Sequence, residues 1–507
     1  MQKKLLMAVD LGTSFIKAGI YDTQSRCIAG ASEPVKDERP APGMFIQHGD
    51  DLYQSVLRCM RQAVESLEED DRKAVQAIAF TGQMAGFMGV DENWNDVTTW
   101  SCSVDTRYIP YADRQMEKYA DDFLEICGTN APQTAPKYAW FSSEFPEETK
   151  RIAKYVMISG YVIGRLGKLP IENAVIDGSF IAWSGMADIR KREWSQELCQ
   201  KIGMDPKYMP RIVESSEICG YLDEEAARET GLPSGIPLVS GAGDKVAGNV
   251  GACILNPGDM IFEAGSYGGY SCLVEEYRPD REAHYFDGIA GPEAGTWYAH
   301  KYIPGSGITL DWFVDTFMDG NGRSKKERFG EIEKLAAAVA PGSEGVMAIG
   351  LLGGSSMPYD GSLRGMWMGH TWSHHKGHFY RSLLESYSYD LGITIDRVEA
   401  MYPEYQTKEL KVIGGGAKSA LWMQMLADVT GKKIRRLDRE DIALWGAAIL
   451  AGCGVGIFPD RRGIAEKYVG IREEFEPDGK VYDTYQAHKA VYRDFVKELH
   501  QFYQRLV

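Results

Sequence analysis

Apolar and polar positions switch between two periods along this chain, and the switches mark its elements. Leu5-Leu6-Met7-Ala8-Val9 is an apolar run of strand length. Asp10-Leu11-Gly12-Thr13-Ser14 has turn chemistry, and Phe15 to Tyr21 predicts the return strand of a hairpin, with Asp22 at its end. Leu52, Val56, Met60, Val64 and Leu67 recur at spacings of four and three, which is one face of an amphipathic helix. Ala74 to Phe80 predicts a buried strand running into Thr81-Gly82-Gln83-Met84. Strand, helix and strand in this order predict an α/β architecture.

Similar units return in the second half. Ile236 to Val239 is apolar and leads into the glycine-rich block Ser240 to Gly251. Met260-Ile261-Phe262 precedes Glu263-Ala264-Gly265-Ser266-Tyr267-Gly268-Gly269. Leu410 to Ile413 precedes Gly414-Gly415-Gly416-Ala417-Lys418-Ser419, with a helical segment from Ala420 to Val429. There is no strict repeat, but a strand leading into a glycine turn opens each half. Two similar lobes around a cleft are expected, 1–252 and 253–507, with no low-complexity linker between them. Tyr485, His488, Tyr492, Phe495, Leu499 and Phe502 form the packing stripe of a last helix.

Composition narrows the class. The 507 residues are 44% hydrophobic and 25% charged, as in a globular protein with a large core. Against 72 acidic residues stand 56 Lys and Arg, a net charge of −16. That balance disfavours a nucleic-acid binder or a protein held to an anionic membrane. It leaves room for a small anion in a local basic or amide-rich pocket. The uncharged run from Ile442 to Phe458 is shorter than a membrane span and carries four glycines, so it predicts a buried helix and turn. The first seven residues are too short a stretch for a signal-peptide core. Nine scattered cysteines, none in a Cys-x-x-Cys pair, fit reduced thiols in a cytoplasmic protein.

The candidate chemistry lies in the glycine turns. In Asp10-Leu11-Gly12-Thr13-Ser14, successive amides and two hydroxyls can cradle an anion, and Asp10 can hold a divalent cation on phosphate oxygens. Neither a Walker loop nor a dinucleotide fingerprint is present. Ala417-Lys418-Ser419 has Ala where the first requires Gly, and Gly241-x-Gly243 is followed too late by Gly248. Asp244, set among glycines just after a buried strand, could take the proton of a substrate hydroxyl in phosphoryl transfer. It could equally cap the next helix.

Taken in order, these pieces resemble the FGGY carbohydrate kinases, and among them the xylulokinase-type members. The resemblance rests on DLGTS at 10–14, TGQM at 81–84 and Trp100 with Asp105-x-Arg107. It continues through TGLPSGIPLVSGAGDKVAG at 230–248, PGSGITLDWF at 304–313 and VIGGGAKSALWMQMLADVTGKKI at 412–434. It implies two duplicated ribonuclease-H-like lobes of the actin and hexokinase type, and ATP-dependent phosphorylation of a sugar hydroxyl with Mg²⁺. Asp244 then matches the catalytic base and Asp10 the acid near magnesium. Thr13, Ser14, Gly265 and Ser266 match the phosphate turns. Gly414, Gly415, Gly416 and Ala417 match the nucleoside loop, with Ser419 and Gln424 close by. Gln83, Met84, Asp105 and Arg107 match the sugar pocket.

Three departures fall on the sugar side. Ala85 stands where the family usually has His, which removes a hydrogen-bonding group. Lys245 follows the catalytic Asp in place of Asn or Gln. It can lower the Asp pKa, bind an anionic group, or point to solvent. Trp100 and Asp105 are more widely spaced than in the family pattern. A ketopentose such as xylulose is the expected acceptor. Ribulose, a deoxy-ketose, a polyol and a linear dihydroxyketone are the alternatives, and a non-catalytic ATP-binding regulator is the rival class. A homodimer is in keeping with the family. His370, His374, His375 and His378 have spacings that permit a metal site, but a structural role is expected of them.

Overall fold

The computed structural model describes residues 3–503 and 505, apart from 321, 357, 358 and 362. The first hairpin forms where the pattern places it. Strand β1 (Leu5–Leu11) pairs antiparallel with β2 (Phe15–Asp22), from Leu5 opposite Asp22 to Leu11 opposite Ile16. Every residue of β1 except Asp10 is buried, which is why its sequence is a continuous apolar run. The mostly exposed strand β3 (Cys27–Pro34) pairs with β2 and lacks that signature. Strand β4 (Val75–Gly82) runs parallel to β1. Strands β5 (Ile218–Tyr221) and β6 (Pro237–Val239) complete a sheet of order β5-β6-β4-β1-β2-β3.

A second sheet is built from β7 (Met260–Ala264), β8 (Gly268–Val274), β9 (Asp287–Ala290), β10 (Trp297–Ile303), β11 (Glu409–Ile413), β12 (Lys433–Leu437) and β13 (Ile471–Phe475). Its order is β9-β10-β8-β7-β11-β12-β13. From β10 to β13 the pairings run antiparallel, antiparallel, parallel, parallel, antiparallel. From β3 to β5 they run the same way. The duplication suggested by the two glycine turns is therefore present in the strand pairing, although the sequences do not repeat.

Helices cover both sheets. In the first half these include α1 (Gly49–Glu65), which packs on β2 and β3, α2 (Thr134–Glu144), and α3 (Asp244–Gly251), which begins shortly after β6. The second half contributes α4 (Ser306–Phe317), α5 (Lys376–Met401), α6 (Ala420–Thr430), α7 (Ile442–Gly454) and α8 (Gly479–Tyr503). The uncharged run of the sequence is α7, buried almost throughout. It belongs to the second half by sequence, yet it packs on β1 and β4 of the first sheet and crosses α3. The crossing needs glycine, because a Cβ on Gly446 would lie 1.8 Å from the Ala247 carbonyl oxygen. Just ahead of α7, the Tyr21 hydroxyl donates to Asp441 and Arg439 donates to the Ser25 carbonyl (2.7 Å). The halves thus interlock. Among the described residues no helix is long and apolar enough to cross a membrane. All nine cysteines are unpaired.

Candidate active site

A cleft of about 590 Å³ opens between the lobes, lined by Asp10, Lys17, Asp244, Lys245, Glu263, Gly414, Gly415 and Ala417 among others. The duplicated topology explains why these residues meet. Asp10 is the penultimate residue of β1 and is level with Thr81 on β4; Leu11 is level with Gly82. Glu263 is the penultimate residue of β7 and is level with Ile413, the residue before Gly414. Each central strand thus ends in an acid and a glycine turn beside a second glycine-led loop. Gly414 has φ +96°, and a Cβ there would lie 2.7 Å from the Ala264 backbone. An L side chain cannot take that conformation without strain, so the loop crosses the strand end only as glycine.

Both turns carry exposed positions, and none of their four expected phosphate-contacting residues is among those that line the cleft. Ser14 and Ser266 are exposed, Thr13 and Gly265 half-buried. The start of α4 braces the second turn, where Gly307 N–H donates to the Gly265 carbonyl (2.9 Å) and Ile308 N–H to the Ser266 carbonyl (3.0 Å).

Asp244 is the first residue of α3, and its carboxylate accepts the Lys245 N–H (2.7 Å). Burial raises its pKa above the ordinary 3.8; the Lys245 ammonium pulls it back and Glu263 pushes it up. Burial and the Asp244 carboxylate push Asp10 up to about 7, against the pull of Lys17 and Lys245. A buried carboxylate raised by its neighbour in a cleft, as Asp10 is by Asp244, is poised for a proton or a cation. Lys245 does not point to solvent. Its ammonium is paired with Glu263 of the second lobe. Burial alone lowers its pKa, and Glu263 and Asp244 more than offset that, so it stays charged. Sequence reasoning missed Glu263 and Lys17. Glu263 was legible in principle, two residues before a turn glycine as Asp10 is.

The sugar-side loop lies against the first turn. The Thr13 hydroxyl donates to Gln83 Oε1 (3.3 Å), and Gln47 Nε2 donates to the Thr13 carbonyl (2.9 Å). Met84 packs at Gly243, next to Asp244. Asp105 is fully buried and takes two hydrogen bonds from the Arg107 guanidinium (2.8 and 2.7 Å) and one from its backbone N–H (3.3 Å), and that guanidinium stacks on Trp140. Trp100 packs on Gly86. Lys137 of α2 is fully buried, donates to the Ala85 carbonyl (2.9 Å) and lies over the Tyr108 ring. Burial lowers it to about 7, with Cys102 and Asp105 opposing. Buried side-chain atoms here without a hydrogen-bond partner include Thr81 Oγ1, Gln83 Nε2, Gln47 Oε1, Trp100 Nε1 and Ser101 Oγ. Unpaired buried polar atoms are costly, and a polyhydroxylated ligand can satisfy them.

Some expected site residues sit back from the cleft. Ser419 is the N-cap of α6, its hydroxyl accepting the Trp422 N–H (3.2 Å). Gln424 donates to Asp428 and to the Glu476 carbonyl (both 2.8 Å). Gly416 lies against Trp422. The histidines form the start of α5. Nδ1 of His378 accepts the His375 N–H (3.2 Å), and Nδ1 of His375 accepts the Gly377 N–H (3.1 Å). Nδ1 of His374 accepts the Thr371 N–H (2.7 Å). With each Nδ1 accepting, the neutral rings carry their proton on Nε2, and that of His378 faces Glu344 (3.4 Å). These contacts cap the helix, and His374, His378 and Glu344 also bring ligand atoms within 4.8 Å of one another, a grouping that could hold a metal ion.

Comparison with known proteins identifies the family. The N-terminal domain of the FGGY family of carbohydrate kinases matches residues 5–251, and its C-terminal domain matches residues 266–455. The chain belongs to the FGGY family of carbohydrate kinases. This FGGY kinase is 28% identical over 507 residues to a xylulose kinase of Staphylococcus epidermidis, covering 99% of this chain and 98% of that one. It is 26% identical over 517 residues to an autoinducer-2 kinase of Klebsiella pneumoniae, covering 95% and 91%. The crystal structure of gluconate kinase from Lactobacillus acidophilus shares its fold, with a TM-score of 0.91 over the whole of both chains at 19% identity. The FGGY chain described here is therefore a sugar kinase with the two-lobed actin- and hexokinase-like fold.

Proposed function

We propose that this kinase transfers the γ-phosphoryl group of Mg²⁺-ATP to a hydroxyl of a ketopentose such as xylulose, with Asp244 as general base. The observation that carries the reading is that Asp244, at the start of α3, lines the same cleft as Asp10, Glu263 and the Gly414-Gly415 loop. The triphosphate would lie on the amides of Thr13-Ser14 and Gly265-Ser266, and the nucleoside against Gly414 to Ala417. Asp10 is a hard oxygen donor held up to about 7 by burial and Asp244, and so it fits a divalent cation, which would offset charge on the phosphates. The acceptor would lie by Gln83 and Met84, where Gln83 Nε2, Gln47 Oε1 and Trp100 Nε1 lack partners. Its hydroxyl oxygen bonds to the γ-phosphorus as the bond to the β–γ bridging oxygen breaks. The proton passes to Asp244 and ADP leaves.

A linear dihydroxyketone is the second reading of the acceptor. Ala85 offers no imidazole to a ring or chain hydroxyl, and one relative of this chain is named an autoinducer-2 kinase. The test is ADP release with Mg²⁺-ATP across ketopentoses, aldoses, polyols and a linear dihydroxyketone, with Asp244→Asn beside it. Turnover with xylulose that the substitution abolishes supports the reading. Turnover with another acceptor alone overturns the ketopentose. No turnover with any acceptor overturns the reaction.

A further inference from the structure

Lys245 and Glu263 are neighbours across the cleft, one on α3 of the first lobe and the other on β7 of the second. Six acidic and six cationic side chains line the same cavity, with Asp10, Asp244, Glu263 and Lys245 among them. Beside Asp10, Asp244 and Glu263 a phosphoryl group meets local repulsion unless a cation is close by. Lys245 is one of the lining cations that can answer. It adjoins Asp244, where the acceptor hydroxyl and the phosphoryl group must meet, and its ammonium reaches the strand that leads into the Gly265-Ser266 turn.

Resting on the ATP reading above, we propose that Lys245 recognises the terminal phosphoryl group of the nucleotide, and that Glu263 holds its place until the nucleotide arrives. A half-buried ammonium is costly without an anion, and the Glu263 carboxylate supplies one. On nucleotide binding, Lys245 exchanges that carboxylate for γ-phosphoryl oxygens and keeps a charge-assisted partner throughout. The residue after the catalytic acid would thus distinguish ATP from ADP, a property unrelated to the sugar.

Equilibrium binding of AMP-PNP and of ADP, each with Mg²⁺ and without sugar, tests this by calorimetry on the full chain. In Lys245→Gln, AMP-PNP affinity should fall roughly tenfold or more while ADP affinity stays within about twofold. Lys245→Arg should restore most of the difference. Glu263→Gln should bind AMP-PNP at least as tightly as the unaltered protein, because the competing carboxylate is gone. An equal loss for both nucleotides in Lys245→Gln, or no loss for either, overturns the proposal, as does weakened AMP-PNP binding in Glu263→Gln. If Lys245→Gln does not fold, the Arg and Glu263 variants decide alone. Absence of any nucleotide binding by the unaltered protein would instead sink the ATP reading itself.

Discussion

Asp10 and Glu263 hold the same place in the two lobes, each the penultimate residue of a central strand and two residues before a turn glycine. The lobes use the position differently. Asp10 faces another carboxylate, Asp244, and is driven up to about 7, whereas Glu263 is paired with Lys245. One duplicated framework thus supplies an anion in need of a cation on one side of the cleft and a neutralised ion pair on the other.

Asp244→Asn keeps the size of the side chain and removes the base. Sugar-dependent turnover should fall by about 10²–10⁴-fold, with AMP-PNP affinity within a few-fold of the original. Because burial holds Asp244 above 3.8, the unaltered enzyme should lose kcat/KM on the acid side at a pH above that value. An acid limb unchanged in a residually active Asp244→Asn variant would assign the limb to another group.

Gly414→Ala and Gly415→Ala should separate backbone strain from cleft lining. At Gly414 φ is +96° and a Cβ meets the Ala264 backbone, while nothing lies within 4 Å of a Cβ on Gly415. The first substitution should cost about 1–3 kcal/mol of stability and weaken ADP binding. The second should cost about 0.5 kcal/mol or less. Denaturant midpoints of the two variants, read side by side, check the ordering.

Lys137 should make stability rise with pH. Its folded pKa is about 7 against an ordinary 10.5, so between those values the unfolded chain binds more protons and unfolding becomes harder as pH increases. The contribution is on the order of 2 kcal/mol between pH 7 and 9. Lys137→Met should flatten the rise in melting temperature over that interval relative to the unaltered protein. Parallel curves for the two proteins would show that Lys137 is not desolvated.

Ala85→His should change which acceptor is preferred. The side chain enters beside Gln83 and Met84, and the Ala85 carbonyl is already held by Lys137. A new hydrogen-bonding group should shift the ratio of kcat/KM between a ketopentose and a linear dihydroxyketone by roughly tenfold and leave the KM for ATP unchanged. A ratio that does not move would place the acceptor away from this loop.

The sequence by itself determined the local pieces. The first hairpin, the strand into Thr81-Gly82, the glycine turns at 12–14 and 265–267 and the buried helix from Ile442 are set by consecutive residues, through apolar period and turn chemistry. The exposed strand Cys27–Pro34 escaped because it has no buried face to mark it. Tertiary structure alone decided the partners. Lys245 meets Glu263 from the opposite lobe, Lys137 reaches Ala85 across 52 positions, and a helix of the second half packs under the first sheet. Propensity and periodicity act over a turn or two of chain. Where a charge finds its counter-charge depends on how two separately folded sheets are brought together, and no local pattern encodes that.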